Sequence, residues 1–173
     1  PERAEAEAEA TLAVSLEDLH QSAVKNLQLQ LQTPGGVETR ELKLRIPKGA
    51  THGTVIRVPS GEQSLRLKLE VEPHPRYRLE GHDLTVRVRI APWEAALGGI
   101  VDVDTLDGKV SLSIPAGVQS GQKLRLAGRG IHRKDGRGDL FAELQIVVPK
   151  ELDPEERKLY ERLAQLSSFR PRD

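Results

Sequence analysis

One stretch of this chain recurs, and the distance between its copies changes along the way. Ile46-Pro47-Lys48-Gly49, followed by Gly53 and Arg57, reappears as Ile114-Pro115-Ala116-Gly117, Gly121 and Arg125, a displacement of 68 residues. Upstream, Val14-Ser15-Leu16 matches Ile90-Ala91-Pro92 at 76, and downstream Val71-Glu72-Pro73 matches Val147-Val148-Pro149, again at 76. Two copies of one unit are therefore expected, and whatever architecture one adopts the other must adopt too. The first would carry eight extra residues around Gln28 to Gly36 and the second eight around Ile131 to Arg137. Insertions of this kind are expected in loops. The resulting organisation is a linker end over 1–10, a first β-domain over 11–72, a second over 73–150, and a C-terminal helix with its tail over 151–173.

Units of roughly 65 to 75 residues bury only about 60 % of their unfolded surface, so each core should be thin. Trp93, Tyr77, Tyr160, Phe141 and Phe169 are the only aromatic residues, which leaves the packing to Leu, Val and Ile. The 26 basic and 26 acidic side chains cancel, and the second repeat carries twelve basic against nine acidic. That excess is too small for a dedicated nucleic-acid domain. Cys is absent, which excludes disulfides, thiolate zinc sites and thiol chemistry. Met is absent as well, an initiator included, so a fragment or processed form of a longer chain is expected. No window has the apolar length of a membrane span and no signal peptide precedes the repeats; a cytoplasmic location without membrane contact is the expectation.

Pro1 to Ala10 alternates Glu and Ala with no apolar face. From Thr11 the period becomes two: Leu12 and Val14, then Leu27, Leu29 and Leu31, then Leu42, Leu44 and Ile46 alternate with polar residues, as half-buried antiparallel strands do. Ser15 to Asp18 reads as a capped start of a one-turn helix through His20. Thr33-Pro34-Gly35-Gly36 supplies a hairpin turn, and Leu65 to Val71 closes the first unit. Pro73-His74-Pro75 bends the chain into the second. There Leu84 to Ile90 is a strand, and Pro92 opens a one-turn helix through Leu97. Strands at 100–103 and 110–114 flank the Asp107-Gly108 hairpin turn. A further strand at 123–126, a mobile Gly- and Arg-rich loop over 128–138, and a last strand at 140–148 complete the unit. After it Asp153 caps a helix, Pro154 takes its first position, and Glu155 and Glu156 complement its dipole.

Catalytic and cofactor patterns are missing. The Gly128-Arg129-Gly130 and Gly136-Arg137-Gly138 pairs lack the Lys-Ser/Thr ending of a P-loop and the strand-to-helix setting of a dinucleotide fold. Alternation turns Asp102 and Asp104 outward, and Asp107 belongs to a turn. His20, His52, His74, His82 and His132 show no i, i+4 pairing for a metal and look like turn and surface residues. There is no nucleophile elbow. The residues thus point to a non-enzymatic, mostly β chain with no metal and no cofactor.

Val14 to Leu19, Pro73-His74-Pro75-Arg76-Tyr77-Arg78, Gly81-His82-Asp83-Leu84, Glu94 to Gly99, Leu106-Asp107-Gly108, Ile114 to Gly117, Gly128-Arg129-Gly130 and Gly138-Asp139-Leu140 follow one another in order. Together they resemble the C-terminal region of DnaJ-type co-chaperones across essentially the whole chain from Thr11. His74-Pro75-Arg76 is not the His-Pro-Asp of a J-domain, since it lacks the Asp and its flanking long helices. The resemblance implies two tandem β-sandwich-like domains of related fold that hold non-native polypeptide, and a C-terminal helix that makes a homodimer. Family members with a zinc-binding Cys-rich insert carry it where this chain has Gln32 to Val37, so the zinc-less subtype is implied. The J-domain and Gly/Phe-rich linker that normally precede these domains, and through which a DnaK-type chaperone is mainly engaged, are not in this sequence.

The resemblance also places a peptide groove in the first domain, on Ala10, Leu12, Leu27 and Leu29 with Lys25 at the rim. Physics is compatible with it, because an extended peptide can add to a sheet edge by main-chain hydrogen bonds while small apolar pockets take its side chains. In the C-terminal helix Leu159, Leu163 and Leu166 share one face with Tyr160 beside them, and a lone helix of about 14 residues is marginal in water unless that face is buried. Dimerisation through these four residues is the expectation. The rivals are a DNA-associated architectural protein using Arg129, Arg133, Lys134 and Arg137, and a β-sandwich hydrolase using Asp102 or Asp139.

Overall fold

The computed structural model describes residues 8–60 and 63–172. Its first half runs β1 (Ala8–Val14), α1 (Leu16–Gln21), a hairpin of β2 (Val24–Thr33) and β3 (Gly36–Arg45), then β4 (Val55–Ser60) and β5 (Gln63–Val71). The second half adds a short strand β6 (Tyr77–Glu80) before β7 (Asp83–Ile90) and α2 (Pro92–Leu97). A hairpin of β8 (Gly99–Thr105) and β9 (Gly108–Ile114) follows, then β10 (Lys123–Leu126), the small strands β11 (His132–Arg133) and β12 (Gly136–Arg137), and β13 (Leu140–Ile146). Helix α3 (Pro154–Leu166) comes last. The fold is mostly β and the repeat is real: β1 runs parallel to β5 and β5 antiparallel to β4, just as β7 runs parallel to β13 and β13 antiparallel to β10.

Hydrogen-bond register corrects the downstream match by one residue. Val14 pairs with Val71 and Ile90 with Ile146, and the Glu72 N–H donates to the Val14 carbonyl as the Val147 N–H donates to that of Ile90. The displacement there is 75, so Pro149 is not the counterpart of Pro73. A one-residue slip in a strand exchanges its faces, and the inward row of β5, Leu65, Leu67 and Leu69, matches Leu140, Ala142 and Leu144 only at 75. The repeated glycines do coincide. Gly53 and Gly121 have φ of 86° and 89°, a left-handed conformation that favours Gly, and their N–H groups donate to Leu69 and Leu144.

The insertions behave differently from expectation. The first does not form a loop: it lengthens both strands of the β2–β3 hairpin, leaving only Pro34-Gly35 as turn. The second folds into the β11–β12 ribbon, and the loop expected to be mobile is pinned at both ends. The Gly130 N–H donates to Gly138, the Gly138 N–H to Ile131, and the Ile131 N–H to His82, while the Ile131 side chain is fully buried. A Cβ at Gly130 or Gly138 would overlap the His82 carbonyl, so both glycines answer to a close backbone approach and not to a phosphate. Of the expected linker end, residues 1–7 lie outside the described residues, and Ala8 to Ala10 already pair with Leu65 to Leu67.

Each helix starts as its sequence dictates. Ser15 Oγ accepts the Asp18 N–H at 3.1 Å while Asp18 Oδ2 accepts the Ser15 N–H at 2.9 Å, a reciprocal cap. Ala91 has no oxygen to offer, and there Pro92 opens the helix and Glu94 Oε1 accepts the Ala91 N–H at 2.9 Å. Asp153 Oδ1 caps α3 by accepting the Glu156 N–H at 2.8 Å.

The larger core straddles the junction of the halves. Val14, Leu16, Leu19, Ile46, Ala50 and Leu69 of the first half share one buried cluster with Leu84, Ile90, Ile131, Leu140 and Leu144 of the second. What remains for the far end of the first half is small: Val58, Leu65 and Leu67, with Ala10, Leu27, Leu29, Leu42 and Leu44 packed against them only partly buried. That thinness sets up the candidate site.

Candidate functional site

Strand β1 is the last strand on one side of its three-stranded sheet, and β2 pairs only with β3. Among the described residues, each therefore presents one edge without a ladder partner, and the short helix α1 links them. Ala10 and Leu12 lie on β1, and Lys25, Leu27 and Leu29 on β2, where alternation gives all five the same half-buried state while Glu9, Thr11, Asn26 and Gln28 are exposed. Ala10, Leu27 and Leu29 pack on the small cluster and Leu12 on the large one. The five residues chosen from sequence thus come to the two strands that flank α1, none is fully buried, and each of those strands is laddered on one side only among the described residues. Exposed edges with apolar flanks are a ready template for another chain.

The polar end of this region is fixed by Lys25, whose Nζ sits 2.6 Å from Asp18 Oδ2. Burial works against the Asp18 charge, but the hydrogen bond from Lys25 and those from Ser15 outweigh it and hold the carboxyl below its ordinary value. One carboxylate therefore both caps α1 and anchors the rim lysine.

The corresponding place in the second half, between β7 and β8, is a cleft of about 810 Å³. Its β7 edge is partly occupied, because β6 pairs with Asp83 to Val86. Its walls are charged, lined by Arg76, Arg78, Arg87 and Arg89 together with Asp102, Asp104 and Glu143. Asp102 and Asp104 are exposed as expected, and Asp104 receives Arg76 at 3.3 Å.

Sequence reasoning missed the junction. Asp107, read only as a turn residue, receives His20 Nε2 of α1 at 2.8 Å, Arg137 of β12 at 2.6 Å and Arg129 at 3.6 Å. Burial opposes its charge, and Arg137, His20 and Arg129 together keep its carboxyl below the usual range. The His132 ring stacks on that of His20 with centroids 5.4 Å apart. Burial first, then the positive charges of Arg137, His20 and Lys48, push the His132 pKa down against the opposing pull of Asp107. His74 Nδ1 accepts the N–H groups of Arg76 and Tyr77, which leaves the proton on Nε2 to bond Glu17 of α1 at 3.0 Å. His82 Nε2 meets the Gly49 carbonyl at 2.9 Å, and Thr51 Oγ1 donates to that of Gly81. Four of the five histidines expected at turns and surface therefore tie one half to the other. Only the DG turn was a signal for Asp107, and a turn motif does not say what its carboxylate will meet.

Helix α3 buries none of its residues: Leu159, Leu163 and Leu166 are 61–71 % exposed and Phe169 beyond them 79 %. Tyr160 is half-buried and its hydroxyl is enclosed without a hydrogen-bond partner. The basic residues of the 128–138 loop are mostly engaged: Arg129 and Arg137 by Asp107, and Arg133 by Asp83 at 3.7 Å.

Two copies of one β-unit stacked end to end, the first with open apolar edges and the second followed by a projecting helix, define the C-terminal region of a J-protein. The chain belongs to the DnaJ C terminal domain family, whose sequence pattern matches residues 8–149. It is 41 % identical over 180 residues to a curved DNA-binding protein of Pseudomonas putida, covering 95 % of this chain and 56 % of that protein. It is 36 % identical over 168 residues to chaperone protein DnaJ 2 of Synechocystis, covering 95 % and 52 %. A curved DNA-binding protein of Coxiella burnetii matches at 36 % over 179 residues, covering 93 % and 56 %. The chain thus spans about half the length of the curated relatives it matches. No helix of the described residues is long and apolar enough to cross a membrane.

Proposed function

We propose that this chain is the substrate-holding module of a cytoplasmic, zinc-less DnaJ-type co-chaperone. It binds unfolded polypeptide along β1 and β2 of the first β-domain, dimerises through α3, and presents its clients to a DnaK-type chaperone. The single observation that carries the reading is the pair of unladdered strand edges flanked by half-buried Ala10, Leu12, Leu27 and Leu29. Main-chain bonding to an edge reads no sequence, so the module accepts many clients, and bulky apolar client side chains gain from covering the partly exposed leucines. The role is one of binding, and neither enzymatic turnover nor a cofactor enters it. Two chains joined at α3 would offer two such edges to one client and raise affinity by proximity alone.

The domain division over 11–72 and 73–150 follows the repeat, and residues of both halves share one buried cluster. Leu12→Asp or Leu29→Asp tests the site: each should abolish suppression of client aggregation while thermal unfolding stays cooperative. A variant that is simply unfolded would make these leucines core residues and sink the assignment.

Binding to DNA is the second reading, and the names of the Pseudomonas and Coxiella relatives favour it. Against it, Arg129, Arg133 and Arg137 of the basic loop are already matched to carboxylates, which leaves Lys134 as its one Lys or Arg side chain without such a partner among the described residues. Titration with an unfolded protein and with curved DNA at two salt concentrations separates the readings, since phosphate binding weakens steeply with salt.

A further inference from the structure

The two halves agree at their inward strand positions and differ at their outward ones. On the outer face of the second half's four-stranded sheet, Arg87 and Arg89 of β7 and Lys123 of β10 stand where the first half has Thr11, Ala13 and Val55. The fold therefore needs no cation at these places. Arg87 and Arg89, two residues apart on one face and so about 7 Å from each other along the strand, even repel. Arg78 and Arg125 on the same face pair with Glu80 at 3.6 Å and Asp139 at 2.8 Å. Arg87, Arg89 and Lys123 are exposed and have no ion-pair partner among the described residues. Glu143 stands in one cross-strand row with Lys123 and Arg87, so a single carboxylate is set among three unpaired cations.

An aromatic ring shares this face. Leu140, Ala142 and Leu144 of the interior strand β13 are buried, which turns Phe141 outward between Thr85 on one side and Arg125 on the other. Phe141 is half-buried yet packs on neither apolar cluster. Four residues along the same strand, roughly 13 Å away, Gln145 Oε1 is enclosed without a hydrogen-bond partner. With Arg87, Ser120 and Glu143 it lines a recess of about 320 Å³. Sheets that hold single strands use such parts: an aromatic ring stacks on a base, cations meet the phosphates, and a polar side chain bonds a base edge.

We propose that the outer face of the β10–β13–β7–β6 sheet binds single-stranded nucleic acid, with a base stacked on Phe141 and backbone phosphates on Arg87, Arg89 and Lys123. A duplex keeps its bases stacked and offers Phe141 no base face, and an acidic polypeptide would use the cations but not the ring. The face takes no residue from the client-binding strands or from the 128–138 loop, so it goes beyond both readings above.

Fluorescence anisotropy with a labelled single strand of about ten nucleotides tests it. Three phosphate contacts on a single strand give log K against log salt a slope of about −2, and Arg87→Gln combined with Arg89→Gln should bring that slope to about −0.7. Phe141→Ala should weaken binding at least fivefold, while Phe141→Tyr, which keeps the ring, should not. Phe141→Leu, which keeps apolar bulk without the ring, should show the same loss as Phe141→Ala and separates stacking from any loss of fold, read by circular dichroism. Absence of binding at low salt refutes the site. Tighter binding of the duplex of the same sequence, or affinity indifferent to Phe141→Leu, would reduce the face to a phosphate-only patch and overturn the proposal. Displacement of the oligonucleotide by polyglutamate, with Phe141→Leu without effect, would make an acidic polypeptide the partner and overturn it as well.

Discussion

The two halves of this molecule share strand order, ladder polarity, helix placement and turn glycines, yet they finish their first strand differently. Among the described residues, β1 ends its sheet with no strand paired along its outer edge, whereas β7 has β6 laid along Asp83 to Val86. The side chains follow the same division. The β1–β2 region is lined by Ala and Leu with a single rim lysine, and the β7–β8 cleft by arginines and carboxylates. One topology therefore yields an apolar strand-adding edge in one copy and a partly closed, charged cleft in the other. The packing explains why the first copy is the open one: its inner residues are left to a small outlying cluster, because Val14, Leu16, Leu19 and Leu69 are spent on the shared core at the junction.

The largest expected effect breaks this contrast directly. Leu29→Asp should weaken client binding tenfold or more in a titration with unfolded protein, while Arg87→Ala in the second-half cleft should change it by less than about twofold, as truncating one exposed rim charge does. Equal losses from the two would mean that both copies hold clients alike.

Next comes the coupling of the halves. Asp107→Ala leaves His20, Arg137 and Arg129 without their shared carboxylate, and should cost about 1–3 kcal/mol in urea unfolding, near the lower end because the site is partly solvated. A cost near zero would show that the apolar core alone joins the halves.

Acid should loosen the same junction more gently. The His132 pKa is lowered in the folded chain from an ordinary 6.5, so its contribution is complete above that value and is lost as pH falls through the lower folded one. Asp107, also lowered, from 3.8, contributes above that value and loses its share only in stronger acid. Melting temperature should therefore fall between pH 7.5 and 5.5, and His132→Gln should flatten that slope. An unchanged slope in the variant would assign the acid sensitivity elsewhere.

The smallest effect concerns the rim. Lys25→Ala removes a partly exposed ion pair with Asp18 and should cost less than about 1 kcal/mol of stability, while slightly reducing the affinity for acidic clients over neutral ones. A loss as large as that of Leu29→Asp would recast the groove as electrostatic.

Much of the fold was legible because it rests on local rules. Period-two alternation marked strands of both copies, Ser15, Pro92 and Asp153-Pro154 marked the helix starts, and Gly53 and Gly121 marked the same place in the repeat, where both prove to be left-handed. What escaped were short strands with little alternation to read, β4, β6, β11 and β12, each stabilised by its partner strand more than by its own pattern. The downstream register slipped by one because Pro73 and Pro149 look alike in sequence, while hydrogen bonding to Val14 and Ile90 fixes equivalence independently of side chains.

The candidate site divides the same way. Ala10, Leu12, Lys25, Leu27 and Leu29 were chosen through family resemblance; strand periodicity sufficed to put Leu12, Leu27 and Leu29 on strands, whereas Ala10, expected at the end of a linker, joins β1 through its pairing with Leu67. That β1 and β2 would each keep an open edge depends on which strands pair across distant sequence, and no local pattern carries that information. The role of Asp107 is of the same kind: its carboxylate meets residues 87 positions upstream and 30 downstream. By itself, then, the sequence determined the repeat, the strand and helix positions, the caps, and the absence of thiol chemistry, because each depends on neighbours a few residues apart. Tertiary structure alone decided which edges stay unpaired, which histidines bind the halves together, and which apolar faces remain uncovered, because those outcomes depend on how finished elements compete to bury the same surfaces.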